Sequence, residues 1–108
     1  SDKPVHRGVL MYRSGEIKKE ITIPAQRTVL VVKARSSLVG KSFGFMGIQL
    51  DGKWVNAHYI NSELLREYYT LIETSPGRHV LSFIYMNDKT MDNKDRNIWM
   101  EECQFRYS

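Results

Sequence analysis

The sequence predicts an all-β chain, an antiparallel β-sandwich or jelly roll of about eight short strands. Three observations point there. Short runs rich in β-branched and aromatic residues alternate apolar with polar. Gly, Pro, Asn and Asp punctuate those runs at near-regular spacing. No stretch carries a long helical period. With 108 residues the chain suits a single domain, 1–108, and can close one core without covalent staples.

Val5–Tyr12 reads as a first strand interrupted at Gly8, and Ser14-Gly15 as a turn. Glu16–Ile23 alternates, with Ile17, Ile21 and Ile23 on one side and Lys18, Glu20 and Thr22 on the other. Lys19 falls on the apolar side, which suits a strand near an edge where the ammonium reaches water. Pro24 ends the run, because it cannot donate to a ladder. Arg27–Arg35 is dense in valine and has apolar residues on both faces, so a central strand is expected. Ser36–Gly44 is a Ser/Gly-rich connection.

Phe45–Leu50 and Trp54–Ile60 flank Asp51-Gly52, a strong hairpin signal. Asn61–Arg66 reads as a loop in which Ser62 caps a short turn, followed by a strand over Glu67–Thr74. Ser75-Pro76-Gly77-Arg78 has Pro then Gly in the centre, as a type II turn requires. His79–Met86 is the next strand and Asn97–Tyr107 the last. In that last strand Ile98 and Met100 share one side, while Trp99, Cys103, Phe105 and Tyr107 share the other. A central position, with a bulge, would accommodate this.

Hydrophobic residues at 42% and charged residues at 26% are those of an ordinary globular protein. No apolar run approaches the ~20 residues of a membrane span. No signal peptide is visible, and the chain opens at Ser1 without a Met, as a processed or trimmed product would. Cys103 is the single cysteine and lies in a predicted strand, so it reads as a small apolar residue. The net charge of +4 is scattered along the chain, with no basic helix or RNA-reading motif, so no nucleic-acid partner is expected.

Nothing assembles a nucleophile, a base and a stabiliser. His6, His58 and His79 are isolated and lack metal-ligand spacing. Paired loop carboxylates leave a glycosidase only as the weaker reading.

The unusual stretch is Asn87–Asn97, between the last two long strands. It holds Asp88, Asp92 and Asp95 with Asn87, Asn93 and Asn97. A plain hairpin needs two to five residues there. Two explanations stand side by side. Asn and Asp favour turns by bonding nearby backbone. Equally, many hard oxygen donors on a short tether are what Ca²⁺ coordination requires. Lys89, Lys94 and Arg96 bring the formal charge of the stretch to zero, so calcium would be held weakly. It lacks the Asp/Asn ladder, central Gly and terminal Glu of an EF-hand. Aromatic residues are available for recognition, among them Trp54 and Tyr59, whereas Trp99 and Tyr69 are expected to serve packing.

Several pieces together resemble a known family. They are Gly15–Pro24, the valine-rich Thr28–Ala34, Asp51-Gly52, Ser75–His79, Phe83–Asp88 and Asp95–Ile98. Their order resembles the calcium-dependent, xylan-binding type of carbohydrate-binding module, families thirty-six and sixty. The most specific part is Asn87-Asp88 with Asp95-Arg96-Asn97. The resemblance implies a non-catalytic jelly roll, attached to a larger secreted bacterial protein and so extracellular or periplasmic. It also implies a loop-bound Ca²⁺ whose open positions are filled by the vicinal hydroxyls of a polysaccharide or oligosaccharide. Carried over by motif position, Asp88, Asp95, the carbonyl of Lys94 and Asn97 are the metal ligands. Asn87, Asp92, Trp54 and Tyr59 are candidate glycan contacts. The rival from another class is a structural or protein-interaction sandwich that meets neighbouring domains and has neither sugar nor metal site.

Overall fold

The structure is a computed structural model that describes residues 2–12, 16–37, 44–86, 90–91, 94–95 and 97–107, with β1 and the segments after residue 89 and before Ile98 described by their backbone alone. Among the described residues ten strands follow one another: β1 Asp2–Tyr12, β2 Glu16–Ile23, β3 Arg27–Ser36, β4 Phe45–Leu50, β5 Lys53–Tyr59, β6 Arg66–Glu73, β7 Gly77–Tyr85, β8 Thr90–Met91, β9 Lys94–Asp95 and β10 Asn97–Arg106. One four-stranded sheet has the order β1-β10-β3-β6 and the other β2-β7-β4-β5. The pairings within both sheets are antiparallel. This is the sandwich that alternation and turn spacing predict.

The chain passes between the sheets at most connections, and β4–β5 is the one long hairpin that stays within a sheet. Its turn has φ 52° at Asp51 and 81° at Gly52. Two left-handed residues in succession are the mark of the type I′ turn, whose twist matches the strands it joins. Gly77 also takes a left-handed φ, 121°, after Pro76.

The core lies between the sheets. Leu30, Val32 and Ala34 of β3 face Met46 and Ile48 of β4 and Leu81, Phe83 and Tyr85 of β7. β3 lies between β10 and β6, as its two apolar faces suggest. Lys19 is exposed on β2, an edge strand, as its place among apolar neighbours suggests. Residue Ser62 makes its turn without a helix, its Oγ accepting from Leu64 N at 2.9 Å.

In β10 the register shifts between Met100 and Glu102. That one extra residue reverses the alternation. Ile98, Met100, Cys103 and Phe105 therefore all point into the core. The expected grouping of Trp99 with Cys103 and Phe105 is thereby corrected. Trp99 lies on the outer face, with the Arg35 guanidinium carbon 4.2 Å from its ring centroid. Arg35 is its partner across the ladder, so Trp99 does pack across strands.

Candidate functional site

The Asn87–Asn97 stretch connects β7 in one sheet to β10 in the other, so it is a crossover and not a hairpin. That accounts for part of its length. Within it β8 and β9 pair with each other, Thr90 opposite Asp95 and Met91 opposite Lys94. Lys94 and Asp95 thus occupy β9, and Asn97 opens β10 opposite Tyr12. Asn87, Asp88 and Asp92 lie outside the described residues. Among the described residues no three metal-ligating side chains gather. The stretch offers carboxylates, amide carbonyls and backbone carbonyls, a hard oxygen set that fits Ca²⁺ and would not suit a thiolate-seeking ion.

Trp54 and Tyr59 share one face, on a different surface. Along a regular strand, residues five apart face opposite sides. In β5 the ladder slips: Ile48 pairs with Asn56 but Gln49 pairs with Trp54, leaving Val55 as the extra residue. The bulge restores parity, so Trp54 and Tyr59 share the outer face of the β2-β7-β4-β5 sheet. Phe45 lies opposite Tyr59, with ring centroids 4.9 Å apart. Met86 joins them at the end of β7, where its N–H donates to the Phe45 carbonyl at 3.0 Å. Gly47 is the floor. A Cβ there would meet the six-membered ring of Trp54, with Cη2 at 3.1 Å, and Met86 Sδ at 2.9 Å. The exposures are 57% for Trp54, 49% for Met86, 39% for Phe45 and 37% for Tyr59. Phe45, Gly47 and Met86 were not among the expected contacts. Their signal was alternation in β4, where Met46 and Ile48 turn inward.

A second cluster holds the base of that hairpin. His79 Nδ1 lies 2.5 Å from Asp51 Oδ2, and His79 Nε2 lies 2.7 Å from the Ser75 carbonyl. Both partners are acceptors, so the pair of contacts is complete when both ring nitrogens carry protons. The Asp51 hydrogen bond, with the Ser75 carbonyl, raises the His79 pKa above the usual histidine value. That same hydrogen bond and the Val80 N–H lower the Asp51 carboxyl. Asp51 Oδ1 accepts from Val80 N at 2.8 Å, and Asp51 N donates to the Val80 carbonyl at 2.8 Å. Serine, histidine and aspartate resemble a catalytic triad by residue type. The chemistry differs, because Nε2 is spent on a backbone carbonyl and no hydroxyl is activated. The isolation expected of His79 is corrected here. Asp51 and His79 are 28 residues apart and meet only through sheet register.

His58 lies where the edges of β5 and β6 approach. Its Nε2 is 2.7 Å from Thr70 Oγ1, its ring centroid is 5.6 Å from that of Tyr68, and burial lowers its pKa. On the opposite sheet, Tyr69 is exposed, its hydroxyl donating to Glu67 Oε1 at 2.8 Å, and it stands across from Val31. A depression of about 360 Å³ beside it is lined by Lys33, Leu65, Arg66, Glu67 and Glu101. Charges of both signs line it, which suits no single charged ligand.

Two antiparallel four-stranded sheets packed face to face define a β-sandwich domain. Among solved structures, the chain shares this fold with carbohydrate-binding modules of family thirty-six. One is the CBM36-1 domain of a multidomain xylanase from the hindgut metagenome of Trinervitermes trinervoides, at TM-score 0.70 and 10% identity, covering 92% of this chain and 77% of that one. Another is the carbohydrate-binding module CBM36 in complex with calcium and xylotriose, at TM-score 0.71 and 11% identity, covering 98% of this chain and 88% of that one. No family model and no curated protein matches the sequence. The fold likeness falls on one of the families that the sequence resembles.

Proposed function

We propose that the chain is a non-catalytic carbohydrate-binding domain that takes a polysaccharide or oligosaccharide through a Ca²⁺ held by the Asp88–Asn97 loop. Asp88, Asp95, the Lys94 carbonyl and Asn97 would hold the ion, with Asn87 and Asp92 beside the sugar. The ion supplies a hard Lewis-acid centre, and a sugar diol is a neutral bidentate oxygen donor suited to it. One observation carries the reading. The fold matches a module in complex with calcium and xylotriose over 98% of this chain. The crossover that bears the Asn-Asp and Asp-Arg-Asn motifs also falls between the last two long strands. Xylan is the first substrate to try. One of the similar modules is a domain of a multidomain xylanase, which supports a setting beside neighbouring domains in a larger protein, while a secreted setting rests on the sequence resemblance alone.

With Lys89, Lys94 and Arg96 among its carboxylates, the loop should bind calcium in the range of weak extracellular modules, roughly 10⁻⁴–10⁻³ M. A ligand of the folded state must raise its stability, by about 2.7 kcal/mol at 100 times Kd. The melting temperature should therefore rise with millimolar Ca²⁺ and fall back with chelator. The Asp95→Ala variant should lose both that response and calcium-dependent retention on a xylan affinity gel. A melting temperature indifferent to both additions rules the ion out.

A further inference from the structure

We propose that the outer face of β7, β4 and β5 is a second glycan-binding surface, independent of any ion, on which Trp54 stacks the ring of a neutral pyranoside chain. Trp54 leans over the bare backbone of Gly47, and more than half of it remains in water. Met86, Phe45 and Tyr59 extend the apolar strip along the same face. An aromatic ring carries negative charge on its faces. The polarised C–H bonds on one face of a pyranose complement it, while the hydroxyls stay at the rim to hydrogen-bond.

This face supplies that rim. Lys18, Ser82, Gln49 and Trp54 form one row across the sheet, Lys18 opposite Ser82, Ser82 opposite Gln49 and Gln49 opposite Trp54. Ser82 is itself buried, so the hydrogen-bonding side chain beside the ring is the half-buried Gln49, with Lys18 exposed two strands further on.

Charge and size select the ligand. Lys18 Nζ lies 3.9 Å from Glu16 Oε1, and Arg78 Nη2 lies 3.0 Å from Glu20 Oε1. Lys53, at the rim, acts on the Asp51 carboxylate. With carboxylates set against Lys18 and Arg78, and Asp51 shared by His79 and Lys53, the face lacks the unbalanced positive groove that a nucleic-acid platform needs. The exposed apolar side chains of this face, Trp54, Met86, Phe45, Tyr59 and Val80, make a small patch beside the roughly 20–30 residues a side, polar ones included, that a stable protein interface uses. A neutral sugar chain fits both limits. Met86 stands immediately before Asn87, so the strip begins where the crossover loop begins.

The test uses the whole chain with Trp99→Phe, which leaves Trp54 as the only indole. Xylohexaose, cellohexaose and mannohexaose are titrated in EDTA, following tryptophan emission, with calorimetry in parallel. A saturable shift of emission to shorter wavelength with at least one hexaose is expected. Trp54→Ala should weaken binding about three- to tenfold, the worth of one aromatic contact. Gly47→Ala, which moves the ring without deleting it, should also weaken it. No emission change with any of the three sugars, or unaltered affinity in Trp54→Ala, overturns the proposal, as does a response that EDTA abolishes. Asp95→Ala separates the two surfaces: the Trp54 response should survive there even where the calcium response is lost.

Discussion

Gly47→Ala should leave the fold nearly as stable as before while damaging the sheet surface. Gly47 has no left-handed φ, so alanine is conformationally acceptable there. Removing glycine's freedom in the unfolded chain is worth about 0.4–1 kcal/mol in favour of folding. Against that stands the crowding of Trp54 and Met86. A fully buried tryptophan removes at most about 250 Å² from water. Trp54 is 57% exposed, so the part at risk is on the order of 100 Å². At about 25 cal/mol per Å² the ceiling on the loss is ~2.5 kcal/mol. Both obstructing groups are ends of side chains that can rotate, so the loss should stay well below the ceiling. The net change is expected within about 1 kcal/mol of zero.

Urea unfolding measures the stability, and Trp54 emission in the Trp99→Phe background reports the ring. Emission should move to longer wavelength as the ring leaves the strand. Gly44→Ala is the control. A Cβ there meets Ile98 Cδ1 at 3.0 Å and Tyr85 Cε1 at 3.2 Å, inside the core. Overpacking of that kind costs about 1–3 kcal/mol. If Gly47→Ala proved as damaging as Gly44→Ala, or left emission and sugar affinity untouched, the assignment of Gly47 as the floor of Trp54 would be wrong.

The remaining predictions concern pH and a buried hydroxyl. His79 has a raised pKa, so its contribution is complete below about 6.5, the unfolded value, and is lost as pH rises through the folded value. Asp51 has a lowered pKa, so its contribution is present above 3.8 and is lost as pH falls through the folded value. The clamp is therefore complete between those limits. Melting temperature followed from pH 6 to 9 should decline in the wild type by an increment that His79→Asn lacks, and parallel curves would refute the clamp. Thr28 Oγ1 is buried with no hydrogen-bond partner among the described residues. Thr28→Val should stabilise the fold by about 1 kcal/mol, raising the melting temperature ~4 °C, and a fall would show that the hydroxyl is satisfied.

Much of the fold was legible because burial on one face forces a period of two. β2, β3 and β4 begin and end within a residue of where alternation and turn residues place them, and the Asp51-Gly52 turn follows from backbone sterics alone. Register was not legible. One extra residue at Val55 sets Trp54 on the same face as Tyr59, and one near Glu101 sets Cys103 beside Met100. The apolar residues on both faces of the last strand did signal a bulge there, though not its position, whereas nothing in the composition of Trp54–Ile60 marked the one at Val55. The His79–Asp51 contact was hidden as well. Its partners sit in two turns that meet only once β7 has paired with β4. The candidate calcium ligands came from the family resemblance, carried over by motif position, and stand as a proposal; strand pairing gives the backbone places of Asp95 and Asn97 alone.

Register also explains why so exposed an aromatic strip can stay in place on an edge strand. β5 has exposed side chains along most of its length and would be expected to fray. Its hairpin is held at both ends. At the turn, Asp51 N donates to the Val80 carbonyl, its Oδ1 accepts from Val80 N, and its Oδ2 carries the His79 contact. At the open end, Ile60 N donates to the Gly44 carbonyl at 2.9 Å and Met86 N to the Phe45 carbonyl at 3.0 Å. Trp54, Tyr59, Phe45 and Met86 therefore stand on backbone already fixed before a ligand arrives. A sugar that stacks there orders few additional groups, and the ordering penalty that usually erodes weak apolar contacts stays small. Loosening the clamp above the folded pKa of His79 should then weaken sugar binding as well as stability. That coupling would be absent if Trp54 were merely a surface residue of a packing strand.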